Sequence, residues 1–151
     1  GVPALRDVSV EQFEAQAQAL DEVTRMRARH VVTENARTLQ AAEAMRQGDA
    51  VALGRLMDAS HDSLRDDFEV SGDELNAMAA CARRQEGCYG ARMTGAGFGG
   101  CAVALVDADA SEAFAEEVAA CYHETTDIGP DVYVCTATDG AAVVEAGDGG
   151  R

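Results

Sequence analysis

The first third of the chain carries the pattern of a long helix. Residues 10–47 contain no Gly or Pro and are rich in Ala, Glu, Gln, Arg and Leu, all good helix formers. Ser9 precedes this segment as a predicted N-cap, and Gly48 follows it as a predicted C-terminal stop. The sequence therefore predicts one helix from about residue 10 to residue 47.

One face of this helix mixes apolar and polar side chains. The apolar residues within roughly 100° of one another on a helical wheel are Leu20, Val23, Val31, Ala41, Ala42 and Met45. Arg27, Glu34 and Thr38 share that face. Two interpretations stay open: the face is partly buried, with internal ion pairs or a partner outside this chain, or Arg27 and Glu34 only flank the apolar stripe.

Two shorter helices are predicted next. Asp49 is a predicted N-cap for a helix to about residue 61, and an S-x-x-E capping box that begins at Ser71 opens another to about residue 85. Between them, residues 60–70 break the apolar periodicity and predict a polar turn.

The pattern changes after Gly87 and predicts a small sheet. In order, the segments are a strand at 88–93, a glycine-rich loop at 94–100, a strand at 101–106, a helix at 111–122, a strand at 131–136 and a last short strand at 141–144. The run at 101–106 is continuously apolar, which predicts burial on both faces. Helices followed by strand–loop–strand–helix–strand indicate an α+β fold with helices on one face of the sheet.

Composition limits the class of protein. The chain has 151 residues, 27 acidic against 12 basic, and a net charge of -15. This length suits one folded domain, and the negative charge argues against nucleic acid or an anionic membrane as partner. No apolar run is long enough to cross a bilayer, and no signal-peptide pattern is visible, so we expect a cytoplasmic protein.

The five cysteines predict free and mostly buried thiols in a reducing compartment. Their number is odd, and they form no C-x-x-C pair. No histidine lies at zinc-finger spacing from them, so no metal site is predicted.

Four glycines fall within six residues in the loop after the first strand. Gly95, Gly97 and Gly100 match G-x-G-x-x-G formally, but a dinucleotide-binding fingerprint needs a following helix, and here a strand follows. A P-loop is excluded because the chain contains no Lys. On residue chemistry alone, an anion-binding nest of backbone N–H groups and a tight connection between two strands stay open.

The histidines and their neighbours predict structural roles. Residues 60–62 contain the residue types of a Ser-His-Asp triad, but adjacent side chains point in different directions, so we expect His61 to bond into the turn. The Arg65–Asp67 cluster predicts an ion-paired turn rather than a cation site, and His30 and His123 are interpreted as ordinary helix residues.

The segment Tyr89–Cys101 resembles the third conserved motif of galactokinases, within the GHMP small-molecule kinase superfamily. It departs from the family pattern at Ala96, which would cost roughly 1 kcal/mol if that position needs a positive φ and fits if φ is negative. Further resemblances lie at 27–34 with Arg37, at 56–67 (LM..SH.SLRDD), at 70–75 (VS..EL), at 133–135 and at 139–141.

The resemblance implies a single GHMP kinase C-terminal domain over residues 1–151, with about 1–86 mostly helical and 87–146 forming the sheet region. It implies a ferredoxin-like small mixed sheet with helices on one face, after a helical N-terminal segment. Galactokinases transfer the γ-phosphoryl of MgATP to the anomeric hydroxyl of D-galactose, which gives galactose 1-phosphate. Their sugar signature, phosphate loop and catalytic residues lie upstream, so this chain alone is expected to hold no catalytic or metal-ligating residue, to bind neither ATP nor Mg²⁺, and to be inactive.

The expected partner is an N-terminal kinase domain, and the exposed interdomain face could drive self-association. The residues assigned by resemblance to the phosphate side of the cleft are Thr94, Gly95, Ala96, Gly97, Phe98, Gly99 and Gly100. Arg92 is either a phosphate contact or a strand-end ion pair. The alternatives are another GHMP sugar kinase, for N-acetylgalactosamine or galacturonate, and a stand-alone small-molecule-binding α+β module.

Overall fold

Four helices lead into a β-hairpin and a fifth helix. The computed structural model describes residues 2–140. Within that range the elements are α1 (Val10–Gln16), α2 (Glu22–Gln47), α3 (Ala50–Asp66), α4 (Asp73–Arg84), β1 (Cys88–Thr94), β2 (Cys101–Val106) and α5 (Ser111–Thr126), with 3₁₀ turns at Leu5–Asp7, Ala17–Ala19 and Ala108–Ala110.

The predicted long helix is two helices. Ser9 caps α1 reciprocally with Gln12: the Gln12 N–H donates to Ser9 Oγ (3.2 Å), and the Ser9 N–H donates to Gln12 Oε1 (2.9 Å). Asp21 opens α2 by accepting the Thr24 N–H at 3.0 Å. The break was missed because neither Gly nor Pro marks it, whereas Gly48 ends α2 in the left-handed region (φ +67°) as predicted.

Helix α3 begins at its predicted cap and runs further than predicted. Asp49 accepts the Ala52 N–H at 2.9 Å, but the helix continues to Asp66, so the polar turn predicted to begin at residue 60 is wrong up to that point. The polar side chains there recur at helical spacing and have partners on neighbouring elements, so burial of this polar face is tolerated.

Helix α4 forms without the predicted capping box. Gly72 is its N-cap and provides no side-chain hydrogen bond, and Ser71 Oγ instead donates to Asn76 Oδ1 at 2.7 Å. Asp73 and Glu74 lie in the first turn, where negative charge is favourable at a helix N-terminus.

Strands β1 and β2 pair antiparallel, and a bulge lies between Cys88 and Gly90. Thr94 lies opposite Cys101 at the loop end of this hairpin. Strand β2 is not buried on both faces as predicted, because Val103 is 45% exposed. The continuous apolar run is therefore not evidence of cover on both sides here.

The described sheet is a two-stranded antiparallel one rather than the expected mixed sheet, although the α+β class is confirmed. Within residues 2–140, no strand forms at 131–136, and Tyr133 in that segment is 81% exposed. Alternation reports β-propensity, but a strand also needs a neighbour for its backbone groups. The short strand predicted at 141–144 lies outside the described residues.

Helices α4 and α5 cover one face of the hairpin. The buried residues of this main core are Cys81, Ala82, Ala91, Phe114, Val118 and Tyr122. A second cluster joins α1 to α2 through Phe13, Ala17, Ala28 and Val32. Across the described part of the chain, every helix is too short or too polar to span a bilayer.

The mixed face of α2 is explained by internal ion pairing. Arg27 bonds to the Asp67 carbonyl and pairs with Glu69, and Glu34 pairs with Arg37. Two apolar residues of the predicted stripe, Val23 and Met45, are exposed instead. Arg27 therefore ties this face to the segment after α3, whereas Thr38 is exposed and bonds to the Glu34 carbonyl of its own helix.

The prediction of free, buried thiols is wrong for two cysteines. Cys81 of α4 and Cys121 of α5 form a disulfide across the main core, although 40 residues separate them. Of the free cysteines among the described residues, Cys88 is half-buried, and Cys101 and Cys135 are exposed. Pairing depends on how α4 packs on α5, which spacing along the chain does not reveal.

Reducing this disulfide should destabilise the fold. The bond closes a loop of 40 residues, which in the chain-entropy model corresponds to ~2–4 kcal/mol of unfolding free energy. Urea unfolding followed by circular dichroism should show this loss for Cys121→Ser, and for the parent protein in dithiothreitol. Cys135→Ser is the matched control and should leave the midpoint unchanged; equal midpoints for Cys121→Ser and the oxidised parent would refute the cross-link.

Candidate functional site

The glycine-rich loop between β1 and β2 depends on left-handed backbone. Gly95, Gly97 and Gly100 have φ of +82°, +83° and +105°. Phe98 also has a positive φ (+62°), whereas Ala96 does not. The departure from the family pattern at Ala96 therefore adds no backbone strain, as the sequence analysis allowed.

One side of the loop is anchored to the segment between α3 and α4. The Phe98 N–H donates to the Val70 carbonyl at 2.7 Å, and the Val70 N–H donates to the Leu64 carbonyl at 3.0 Å. A Cβ on Gly97 would lie only 2.2 Å from Val70 O. Gly97 is therefore required for a close backbone approach as well as for its φ.

The rest of the loop is open. A Cβ added to Gly95, Gly99 or Gly100 would meet no atom within 4 Å, and the Phe98 side chain is 77% exposed. Within residues 95–100, the Phe98 N–H is the one backbone group that donates to a backbone carbonyl of the described residues. The other N–H groups of this segment have no backbone acceptor among the described residues.

The outer edge of β1 is bonded by helix side chains. The Ala91 N–H donates to Asp58 Oδ1 at 2.8 Å, and the Met93 N–H donates to His61 Nδ1 at 3.2 Å. Arg83 donates to the Ala91 carbonyl at 3.1 Å and pairs with Asp58 at 2.7 Å. Helices α3 and α4 thus satisfy the backbone groups that a third strand would otherwise take.

His61 is a neutral, buried acceptor. Its ring is 1% exposed, and an imidazole nitrogen that accepts a hydrogen bond carries no proton. Burial lowers the pKa of His61, and the positive charge of Arg83 lowers it further. The predicted structural hydrogen bond exists, but it reaches β1 and not the turn.

Ser60, His61 and Asp62 have separate hydrogen-bond partners, which confirms that they do not form a Ser-His-Asp triad. Ser60 Oγ donates to Glu34 Oε2 at 2.6 Å, and Asp62 accepts from Arg83 at 3.0 Å. Each of the three side chains therefore ties α3 to a different element: α2, β1 or α4.

His30 has a larger structural role than the sequence analysis assigned. Its Nδ1 lies 3.0 Å from Ser63 Oγ, and its ring stacks on Phe68 with centroids 4.5 Å apart. Burial and the charge of Arg37 lower the pKa of His30. The contact joins α2 to the end of α3, across 33 residues that give no sequence signal.

The charged cluster at the end of α3 is ion-paired, as predicted. Arg65 donates through two nitrogens to Asp66, each at 2.7 Å, and Arg29 donates to Asp67 at 2.9 Å. Hydrogen bonding to Arg65 lowers the pKa of Asp66. Among residues 2–140, no three His, Cys, Asp or Glu side chains converge on a metal position.

Arg92 lies on β1 and donates to the Met93 carbonyl at 3.1 Å. The ion pairs between described residues do not include Arg92, so the strand-end ion pair offered as its structural role is not found. Sequence reasoning also missed Asp58 and Arg83. The spacing of Asp58, His61, Asp62 and Arg65 on one helix face was the signal that could have found them.

Residues 41–124, which span α3 to α5 and the glycine loop, match the family model for the GHMP kinase C-terminal domain. The chain belongs to the GHMP kinase C-terminal family. This family assignment confirms the resemblance drawn from the loop and the helix motifs, and it confirms the fold class.

Similar proteins include galactokinases. That of Roseiflexus sp. is 49% identical over 144 residues, which cover 95% of this chain and 37% of the relative. That of Haemophilus influenzae is 49% identical over 148 residues, which cover 95% and 38%. The chain thus spans little more than a third of the length of these relatives, in their C-terminal part.

Solved structures show the same relation. Lactococcus lactis galactokinase complexed with galactose superposes with a TM-score of 0.82 at 45% identity, over 85% of this chain and 34% of that protein. L. major mevalonate kinase in complex with R-mevalonate gives a TM-score of 0.52 at 30% identity, over 83% of this chain and 36% of that protein.

Substitution of Gly97 should be more harmful than substitution of Gly95. Gly97→Ala adds a collision with the Val70 carbonyl to the cost of a positive φ, and we expect a loss of ~2–4 kcal/mol of unfolding free energy. Gly95→Ala, the matched control, has a similar φ and open space around it, so only ~1 kcal/mol is expected. Chemical denaturation measures both; equal losses would contradict the close approach at Gly97.

Stability should fall as the pH drops below about 6.5, the ordinary histidine value. The pKa values of His30 and His61 are lowered in the folded protein, so the unfolded chain binds more protons in this window. The slope is about 1.4 kcal/mol per pH unit for each proton taken up. Urea midpoints from pH 7.5 to 5.5 should decrease for the parent and decrease less for His61→Asn; a flat parent profile would contradict this.

Proposed function

We propose that this chain is the C-terminal domain of a galactokinase, and that residues 1–151 form that one domain. The parent enzyme would transfer the γ-phosphoryl of MgATP to the anomeric hydroxyl of D-galactose. The observation that carries the proposal is the open glycine loop within a chain that is 45–49% identical to galactokinases along 85–95% of its length. The fold alone would not carry it, because the mevalonate kinase structure shares the fold.

The proposed site consists of Thr94–Gly100, as the phosphate-side wall of a cleft. Phosphoryl transfer depends on positioning and on stabilising negative charge spread over phosphate oxygens. Backbone N–H groups supply dipoles to such charge without side-chain bulk. The absence of Cβ contacts at Gly95, Gly99 and Gly100 supports this role, because a ligand can approach the backbone there.

Arg92 is a second proposed contact. It lies on β1, two residues before Thr94, where the strand ends. Its side chain donates to the carbonyl of its neighbour Met93. A guanidinium has five donors, so this bond leaves others for a phosphate group. A charge-assisted bond from Arg92 would favour a phosphate at the β1 end of the loop.

ATP fits the described residues in part, and Mg²⁺ does not. The loop amides suit phosphate oxygens, but no three carboxylates, thiols or imidazoles among residues 2–140 converge to bind a cation. We therefore assign Mg²⁺ no ligand among residues 2–140 and derive no step through it. The catalytic groups are proposed to lie on an N-terminal kinase domain, which is the proposed partner of this chain. The parent enzyme is proposed to be cytoplasmic.

Reconstitution tests the activity. This chain mixed with the separately produced N-terminal part of the Roseiflexus galactokinase should release ADP in the presence of galactose, whereas the chain alone should release none and bind ATP no tighter than millimolar. Calorimetry and a coupled ADP assay measure these. ADP release with N-acetylgalactosamine or galacturonate, and not with galactose, would favour another GHMP sugar kinase; tight small-anion binding by the chain alone would favour a binding module.

Loop variants test the site in the same assay. Gly99→Ala adds a methyl group in space that this chain leaves open and also strains the backbone at φ +151°, so the loop amides should shift away from the phosphoryl oxygens and the ADP release rate should fall by about tenfold or more. Thr138→Ala, in an exposed segment, is the control and should retain the parent rate. Parent-like rates for Gly99→Ala would remove the loop from the site.

A further inference from the structure

We propose that His61 is the positioning residue of the glycine loop, because its unprotonated Nδ1 holds the end of β1 from which the loop departs. Protonation of this nitrogen turns the acceptor into a donor and releases the Met93 N–H. The consequence for phosphoryl transfer rests on the function proposed above, whereas the effect on loop order does not.

Both anchors of the loop depend on the same helix. Before the loop, the Met93 N–H donates to His61 at 3.2 Å. Within the loop, the Phe98 N–H donates to Val70 O, and the Val70 N–H donates to the carbonyl of Leu64. His61 and Leu64 lie three residues apart on α3, so the last part of α3 fixes both anchors of the loop.

The bond from Met93 to His61 lies closer to the loop than the other side-chain bonds to the outer edge of β1. Asp58 and Arg83 hold Ala91, which lies two residues further from the loop. His61 holds Met93, the last residue before Thr94 and the exposed loop. Loss of the Ala91 bonds would loosen the strand, but loss of the Met93 bond frees the loop end in particular.

No other group can replace His61 easily. The His61 and Met93 residues are each 1% exposed, so water does not reach the Met93 N–H in the folded protein. A buried donor that loses its acceptor keeps the full cost of its desolvation. The structure relieves that cost most readily where the chain is least packed, which is the adjoining loop.

The charges around His61 favour the neutral imidazole. Helix α4 places Arg83 against it, and α3 contributes Asp58, Asp62 and Arg65. Arg83 is paired with Asp58 and Asp62, so little net negative charge is left to stabilise an imidazolium. Burial and Arg83 lower the pKa of His61, so its acceptor form is intact near neutral pH and is lost on acidification.

Hydrogen–deuterium exchange of this chain, without nucleotide, tests the proposal. At pH 7.5, His61→Phe should raise exchange of the hydrogen-bonded Met93 and Phe98 amides by about tenfold or more, because the phenyl ring offers no acceptor. His61→Asn should retain the protection, because its side-chain oxygen can occupy the Nδ1 position. In the parent, protection of the Met93 and Phe98 amides should fall between pH 7.5 and 5.5 after correction for intrinsic exchange, and in His61→Asn it should stay constant.

His30→Asn is the matched control, since His30 is also buried with a lowered pKa but contacts Ser63 and Phe68 rather than the loop. It should keep the pH response of the Met93 and Phe98 amides. A merely structural role for His61 would raise exchange equally in α5, and that result, or a pH response retained by His61→Asn, would overturn the proposal. If His61→Phe does not fold, the comparison of the parent with His61→Asn decides.

Failure of this proposal and failure of the proposed function give different results. Exchange reports loop order with no substrate present, and the ADP assay reports phosphoryl transfer. If loop exchange depends on His61 but the chain never supports ADP release, the positioning role stands and the kinase function is refuted. If the reconstituted kinase is active but loop exchange does not depend on His61, the kinase function stands and the positioning role is refuted.

Discussion

The fold depends on how the outer edge of β1 is satisfied. A strand exposes hydrogen-bonding groups on both edges, and a buried edge without partners is costly. In the described part of the chain, β2 pairs with one edge, and side chains of α3 and α4 bond the other through Asp58, His61 and Arg83. The helix can approach because Gly54 has no side chain: a Cβ there would lie 2.0 Å from the Tyr89 carbonyl. Helix, strand and loop are therefore one unit.

This unit explains why the glycines of the loop are not equivalent. Gly97 is needed because a Cβ there would collide with Val70. Gly95, Gly99 and Gly100 border open space, so glycine is favoured at these positions only by the positive φ. A loop anchored at Met93 and Phe98 and open between them combines order with access. Preorganised amides of this kind are what electrostatic stabilisation of a phosphoryl group requires.

Much of the fold could be predicted from local signals. The caps at Ser9 and Asp49, the stop at Gly48 and the β1–loop–β2 hairpin all follow from residue types at fixed positions. The larger errors share one cause, because each concerns a partner that is distant in sequence, whereas the missed break before α2 and the misplaced cap of α4 are local errors. The polar residues from position 60 suggested a turn until their partners on α2, β1 and α4 were known. The Cys81–Cys121 disulfide and the missing strand at 131–136 likewise depend on packing.

The loop could be located from sequence, but its anchors could not. Glycine spacing identified residues 94–100, whereas nothing local connects His61 with Met93, 32 positions later. The most direct test of this account is a nitrogen–nitrogen scalar coupling measured by NMR across that hydrogen bond. At pH 7.5 we predict a resolved coupling between the Met93 amide nitrogen and His61 Nδ1, which disappears when the imidazole is protonated. A neutral His61 without this coupling, in a spectrum that resolves couplings of that size, would contradict the account.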